Sequence, residues 1–412
     1  MKRAFNLAFG TALSQLITIG MIPVLSRLNS PEVYGNFAIV LMYAKTISLI
    51  VNLKYELAIP LTKNDNHSKS LFKSIISLNI FLTFICLFIT VFFNLIFNFD
   101  LWKWVIPILI GQLLGFVQAF HFFMVRENSF KLLGILKVIQ SIFVATFSVI
   151  FSYVFLDSYL GLALGTFTGL ILLQIVYFRK LDLRFLKIKK LKINQLISVD
   201  LLKKYKKFPI YVSPISIIDA GKDFIFLTFS SILFSPEITG IFFLTSKILI
   251  APTSLIAGAI SHVFMRDIAI SVDETSLLFS QFKKLLLSVL LLGLFPLIFI
   301  FLFGNSLIIN FLGDNWQSAS TFIYPLSIFS FLLLPLTSLS MIPLILSRQG
   351  TASIFHISYS LIYISPLFLS YFFEKKLNES LYFMDILMGL HCVIYVSWLA
   401  KLCLNREKIH AI

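Results

Sequence analysis

Long apolar segments separated by short polar connections run through the whole chain. A helix needs roughly 20 apolar residues to cross a hydrocarbon core about 30 Å thick. Twelve segments meet this requirement: 5–26, 36–60, 74–97, 104–124, 132–155, 160–178, 208–233, 240–262, 285–304, 319–346, 351–373 and 381–400. The pattern predicts an all-α integral membrane protein with about twelve transmembrane helices.

Composition agrees with this class. Hydrophobic residues make up 58% of the 412 positions and charged residues 13%, whereas soluble domains carry about 45–50% and 25%. A soluble enzyme is therefore excluded. Lys2 and Arg3 precede an apolar run without a small-residue cleavage site, so we expect the first segment to remain as a helix. The Cys and His spacings suggest no disulfide, metal or cofactor site, so we expect none of these.

The positive charge is distributed unevenly across the predicted membrane. Of the 34 Lys and Arg residues, 25 lie on the side that holds both termini and four on the other, and five lie inside spans. Basic loops resist translocation, so both termini are predicted to be cytoplasmic. The segment 179–207 alternates basic and apolar residues, which suits a linker lying on an anionic leaflet. The charge therefore indicates topology, and no nucleic-acid partner is expected.

One motif occurs twice. Residues 30–37 and 235–242 both read S-P-E-x-x-G-x-F, each in a short loop after the first helix of a six-helix half. Ser-Pro-Glu is typical of a helix start. Its recurrence predicts two pseudo-symmetric six-helix lobes, 1–178 and 208–412, joined by a basic cytoplasmic linker, 179–207.

Three stretches carry a family resemblance: 23–35, Leu53–Pro60 and Gly221–Ile225. With them, the chain resembles the polysaccharide repeat-unit flippases, the O-antigen and capsule transporters of the multidrug/oligosaccharidyl-lipid/polysaccharide exporter (MOP) superfamily. The third stretch contains Lys222-Asp223, where that family often has Arg-Asp. Lysine keeps the charge but lacks the bidentate grip of arginine on phosphate.

The resemblance implies a function and a setting. The chain would be a flippase of a bacterial cytoplasmic (inner) membrane that moves undecaprenyl-diphosphate-linked oligosaccharide repeat units to the periplasmic leaflet for O-antigen, lipopolysaccharide or capsule synthesis. It would use alternating access and work beside a polysaccharide polymerase and a chain-length regulator. No enzymatic activity is expected, because neither a nucleotide motif nor a large outer loop is present.

Cations inside the spans are the candidate substrate-binding residues. Lys45, Lys222 and Lys247 lie deep in their predicted helices, and Lys45 and Lys247 have no acidic residue within one turn. Ionisable groups at this depth are costly unless they are paired or line water, so the three could converge on a central cavity that receives a diphosphate. Arg27, near the outer mouth, could assist.

Four acidic residues are considered together with these cations. Asp219 and Asp223 flank Lys222 at helical spacing and could either couple transport to an ion gradient or form a static ion pair. Glu56, at a predicted helix end near cytoplasmic lysines, could serve a structural or gating role. Asp385, near the outer start of the last span, is expected at the membrane interface.

Two further patterns concern packing. Glycines four residues apart in two predicted spans indicate close helix packing: Gly111, Gly115, Gly161, Gly165 and Gly169. Three tryptophans at predicted outer borders are expected as interfacial anchors: Trp102, Trp104 and Trp316.

Within lipid transport, a lipid-linked precursor of peptidoglycan remains open as the substrate. Two other function classes also remain open from the sequence. A multidrug or cation antiporter of the same superfamily should line its cavity with carboxylates, whereas this chain places three lysines in its helices. A membrane glycan polymerase or transferase needs an acidic cluster in a large loop, and the predicted outer loops are short.

Overall fold

The computed structural model describes residues 2–62, 64–98, 100–180, 198–271, 278–346 and 348–410. Within these ranges the chain forms helices and no β-strand. Ten of the described helical segments are long and apolar enough, by length and composition, to cross a membrane. Helix α9, with the π turn that precedes it, occupies the predicted span 208–233, and α10 covers the predicted span 240–262. The predicted class, an all-α integral membrane protein of about twelve transmembrane helices in two lobes, is confirmed.

The helices follow the predicted segments in order. They are α1 (Lys2–Gly20), α2 (Ile22–Leu28), α3 (Pro31–Asn52), α4 (Asp65–Phe97), α5 (Trp102–Arg126), α6 (Phe130–Val154), α7 (Tyr159–Lys180), α8 (Val199–Lys204), α9 (Ser213–Leu233), α10 (Pro236–Ser271), α11 (Leu278–Leu312), α12 (Ser320–Ser338), α13 (Ile342–Ile345), α14 (Gln349–Phe373) and α15 (Leu377–His410). Short 3₁₀ turns cover Tyr55–Leu61 and Asp314–Ala319, and a π turn covers Phe208–Val212.

The predicted span 36–60 is wrong at both ends. Helix α3 begins at Pro31, before the predicted start. It ends at Asn52, because Leu53 and Lys54 both adopt left-handed backbone conformations with φ of 47° and 59°. Two consecutive left-handed residues cannot continue a right-handed helix. The remaining apolar residues, Tyr55–Leu61, form the 3₁₀ turn instead.

Both copies of the repeated motif cap a helix. The hydroxyl of Ser30 accepts a hydrogen bond from the backbone N–H of Val33 over 3.4 Å at the start of α3. The hydroxyl of Ser235 accepts one from Ile238 over 3.1 Å at the start of α10. In each case Pro is the first helical residue, where its missing N–H costs nothing. The duplicated sequence therefore produces the same local structure twice.

The contacts divide the chain into two compact units, Met1–Thr228 and Phe229–Ile412. Most of α9 belongs to the first unit by this measure. The predicted lobe boundaries, 1–178 and 208–412, stay a prediction. Residues 181–197 of the predicted linker lie outside the described residues.

Glycines allow close packing in the first unit. A Cβ at Gly169 of α7 would lie 2.7 Å from the Cα of Val144 on α6, and one at Gly165 would overlap the backbone of Ser148. On α5, a Cβ at Gly111 would lie 2.6 Å from the carbonyl oxygen of Ala44 on α3. The prediction of close packing at these glycines is confirmed.

The second unit has its own apolar core. Buried side chains from α11, α12 and α15 meet there, and they include Phe282, Val289, Leu334 and Leu399. Trp316 is completely buried in this unit, so its ring does not act as the predicted interfacial anchor, while Trp102 and Trp104 are exposed.

Candidate functional site

Helix α9 brings three ionisable residues onto one face. Asp219, Lys222 and Asp223 are spaced by three and four residues, which places Asp219 beside both of the others on a helix surface. The ammonium of Lys222 forms an ion pair with the Asp219 carboxylate and donates to the Asp219 carbonyl oxygen over 3.0 Å. The Lys222 side chain is only 7% exposed. Lys222 is therefore held firmly by its own helix.

Lys45 reaches this group from α3. Its Nζ lies 3.8 Å from Oδ2 of Asp223, while Nζ of Lys222 lies 3.9 Å from Oδ1 of the same carboxylate. Each oxygen of Asp223 thus faces one ammonium group. Beside the ion pairs, the ring of Tyr43 packs against that of Phe224 at a centroid distance of 5.2 Å. This aromatic contact joins α3 to α9 independently of charge.

The cluster of Lys45, Asp219, Lys222 and Asp223 is formally neutral. The sequence showed no acidic neighbour for Lys45 within one helical turn, and the structure supplies Asp223 from a distant helix. The surplus negative charge of α9 is offset in the same way. An ion pair of this kind stabilises charges that a bilayer would otherwise penalise.

The cluster is accessible on one side. The side chain of Lys45 is 53% exposed and that of Asp219 57%, whereas Asp223 is 26% exposed. Exposed charges in a membrane bundle avoid lipid and face water-filled space or the protein interior. The geometry therefore offers two cations and two carboxylates to a solute that approaches from this side.

Lys247 lies in the second unit, on α10. Its Nζ sits 5.8 Å from the ring centroid of Phe243, one turn earlier, in a cation–π contact. No carboxylate in the described part of the chain lies within ion-pair distance of it. Its predicted convergence with Lys45 and Lys222 stays a prediction.

Arg27 is exposed on α2, where its guanidinium donates to the carbonyl oxygen of Pro23 over 3.0 Å. Its predicted contribution to substrate binding likewise stays a prediction.

Glu56 lies in the 3₁₀ turn after α3, outside the membrane-spanning helices, and is completely buried. Burial raises the pKa of its carboxyl group, while its own backbone N–H and the charge of Lys54 act in the opposite direction. Nζ of Lys54 lies 3.9 Å from Oε1 of Glu56. The adjacent Tyr55 hydroxyl donates to the carbonyl oxygen of Leu202 over 3.2 Å.

Sequence analysis missed a buried amide network between α3, α4 and α5. Asn79 Nδ2 donates to Oδ1 of Asn52 over 2.9 Å, and Asn52 Nδ2 donates to the carbonyl oxygen of Gly115 over 2.7 Å. Asparagine inside an apolar span was the available signal, because interhelical amides are a common way to join membrane helices. The network fixes the helices rather than offering charge to a solute.

Asp385 lies on α15. Its side chain is buried in the second unit, and both carboxylate oxygens lack a hydrogen-bond donor among the described residues. Its predicted place at the membrane interface stays a prediction. Elsewhere in the described ranges, His, Cys, Asp and Glu form no group of three that could hold a metal ion.

The fold is that of known membrane transporters. The structure is similar to that of a MOP superfamily transporter from Pyrococcus furiosus, with a TM-score of 0.65, 13% identity, and coverage of 98% of this chain and 96% of that one. That protein is described as having a binding pocket of reverse polarity that suggests a different function.

Two structures of a multidrug resistance MATE family transporter of the MOP superfamily are also similar. The inward-facing one gives a TM-score of 0.61 at 14% identity, covering 97% of this chain and 96% of that one. The outward-facing one gives 0.62 at 13%, covering 99% and 96%. At these identities the likeness establishes the fold of the superfamily.

A family model gives a more specific assignment than the similar structures. The model described as "Polysaccharide biosynthesis protein" matches residues 1–265, and the chain belongs to this family. No curated protein sequence matches the chain. The sequence-based recognition of a polysaccharide family is confirmed, and the protein is a multi-pass membrane protein with the fold of MOP superfamily transporters.

Proposed function

We propose that the protein is a flippase that moves undecaprenyl-diphosphate-linked oligosaccharide repeat units from the cytoplasmic to the periplasmic leaflet. The observation that carries the proposal is the pair of lysines, Lys45 and Lys222, held around one carboxylate in a largely apolar bundle. A diphosphate leaving water needs such cations to offset its desolvation. Family membership favours a polysaccharide precursor as the molecule that carries this group.

Other residues have secondary roles in this proposal. Lys247 and Arg27 contribute further positive charge to the substrate's path as the protein alternates between its two openings. Asp219 and Asp223 exchange protons or cations with the surroundings and couple transport to an ion gradient. Glu56 supports the cytoplasmic end of α3 as a structural or gating residue. The protein needs no cofactor and catalyses no covalent step.

The proposal includes a cellular setting. The protein lies in a bacterial inner membrane with both termini in the cytoplasm, since basic residues are concentrated on that side. It delivers repeat units for O-antigen, lipopolysaccharide or capsule synthesis to a polymerase and its chain-length regulator.

The test is translocation of a fluorescent lipid-linked oligosaccharide in proteoliposomes that contain the purified full chain. We expect translocation by the wild type and a loss of about tenfold or more in Lys45→Ala, Lys222→Ala and Lys247→Ala. The matched control is Lys375→Ala, because Lys375 is an exposed lysine that forms a comparable ion pair with Glu379, at 3.9 Å. Full activity in all three lysine variants, at normal protein levels, would overturn the assignment of the site.

A second candidate function is export of organic cations. The carboxylate of Asp219 is more than half exposed beside the cluster and could attract a cation. The same proteoliposomes decide between the two functions. A wild type that is inactive on the lipid-linked oligosaccharide but carries a drug cation would be a multidrug antiporter. Polymerisation of sugar by the purified protein would instead support the glycan polymerase alternative.

A further inference from the structure

The position of Asp223 between two cations has a consequence for any anionic substrate. Its Oδ2 lies 3.8 Å from Nζ of Lys45 and its Oδ1 lies 3.9 Å from Nζ of Lys222. Two anionic oxygens facing two ammonium groups is also the arrangement that a diphosphate would adopt between these lysines. The carboxylate and the substrate's charged group would therefore require the same cations.

The two lysines are held with different strength. Lys222 is buried and is bound twice by Asp219, through its carboxylate and its carbonyl oxygen. Lys45 is half exposed, and its separation from Asp223 exceeds a hydrogen-bonding distance. A lysine ammonium is a point charge on a flexible stem and can exchange one anion for another without a fixed geometry. Lys45 is therefore the cation that is free to change partner, while Lys222 stays in place.

The helices would remain in contact during such an exchange. The rings of Tyr43 and Phe224 pack together beside the ion pairs and depend on no charge. Replacing Asp223 by another anion at Lys45 breaks only the electrostatic link between α3 and α9. The exchange is therefore compatible with the packing of this unit.

We propose that Asp223 is an internal competitor for the substrate's diphosphate at Lys45 and Lys222. This inference rests on the proposed function and extends it. While the site is empty, Asp223 neutralises the two lysines; the more highly charged diphosphate displaces it on binding, and its return to the lysines promotes release. A singly charged anion gains too little to displace the carboxylate, so the residue also selects for diphosphates.

The test measures binding of farnesyl diphosphate and of inorganic pyrophosphate to the full chain in nanodiscs. Asp223→Asn removes the competing charge with little change of shape, so we expect both probes to bind about tenfold more tightly. Translocation by the same variant should be slower, because release is no longer assisted. If the variant binds only farnesyl diphosphate more tightly, the proposal holds for diphosphates that carry a lipid chain.

Two controls isolate the effect. Asp219→Asn also removes one negative charge, but Asp219 does not lie between the two lysines. This variant should therefore gain clearly less affinity for the two probes. In a Lys45→Ala background, Asp223→Asn should raise the affinity for the probes much less, because the shared cation is gone. An equal gain in Asp219→Asn, or a full gain without Lys45, would contradict the proposal.

The outcomes separate this inference from the proposed function. If neither the wild type nor any variant binds a diphosphate, the proposed function fails. If the wild type binds and Lys45→Ala weakens binding, but Asp223→Asn binds no more tightly, then the competitor role fails and the flippase assignment stands. Asp223→Ser provides a second neutral variant. Failure of both neutral variants to fold would also overturn the proposal, since the carboxylate would then be a structural ion pair.

Discussion

Lys222 and Asp219 form the tightest ion pair of the cluster, and Lys222 also donates to the Asp219 carbonyl oxygen over 3.0 Å. Lys45, by contrast, is held only by charge at 3.8 Å from Asp223. The two lysines should therefore respond differently to removal. We expect Lys222→Ala to lower stability by about 3 kcal/mol, the low end for a buried pair because Asp219 is half exposed. Lys45→Ala should cost less than about 1 kcal/mol.

Thermal unfolding in detergent, run beside the translocation assay, checks this difference. Both variants should lose transport, but only Lys222→Ala should unfold at a clearly lower temperature. Equal destabilisation by both would show that Lys45 has a structural role as strong as that of Lys222.

The contact between α6 and α7 should be sensitive to a single methyl group. A Cβ at Gly165 would overlap the backbone of Ser148, and backbone cannot move aside as a side chain can. We expect Gly165→Ala to destabilise the protein by about 1–3 kcal/mol, measured as a lower unfolding midpoint. Gly389→Ala on α15 is the matched control, because a Cβ there meets nothing within 4 Å.

Gly389→Ala should be neutral or slightly stabilising, because alanine is more favourable than glycine inside a helix. An unchanged midpoint for Gly165→Ala would mean that α6 and α7 can separate at little cost.

Glu56 should make stability depend on pH. Burial holds the pKa of its carboxyl group above its ordinary value of 4.5. The folded state therefore binds the proton more tightly than the unfolded state, and stability is lost as pH rises from about 4.5 through the raised pKa. Glu56→Gln keeps the shape without the charge, so its unfolding midpoint should exceed that of the wild type at neutral pH and fall less between pH 4.5 and 8. Superimposable pH profiles would contradict this assignment.

The buried carboxylate of Asp385 is expected to lower the stability of the second unit. Its carboxylate oxygens are buried without a hydrogen-bond donor among the described residues, and such a group costs free energy. Asp385→Asn cannot carry charge, so we expect it to raise the unfolding midpoint at pH 8, by the equivalent of about 1–2 kcal/mol. The exposed Asp314 gives the control, and Asp314→Asn should leave the midpoint unchanged. A lower midpoint for Asp385→Asn would show that the carboxylate holds a partner, such as a cation.

Two errors of the sequence analysis have different physical causes. The pattern predicted a span that continued to residue 60, but two left-handed residues end α3 at Asn52. It also predicted Trp316 as an interfacial anchor, whereas the structure buries its side chain completely. The end of α3 follows from local backbone conformation, which an apolar pattern does not reveal, whereas the burial of Trp316 depends on neighbours from elsewhere in the chain.

The sequence by itself determined the helices, the caps at Ser30 and Ser235, and the close packing at glycines such as Gly165. Each of these depends on the chain within a few residues, because the length of an apolar run, a cap and a missing Cβ are local properties. Only the tertiary structure placed Asp223 between Lys45 and Lys222. That pairing depends on which faces of two helices meet, and helical periodicity along a single segment carries no information about the segment packed against it.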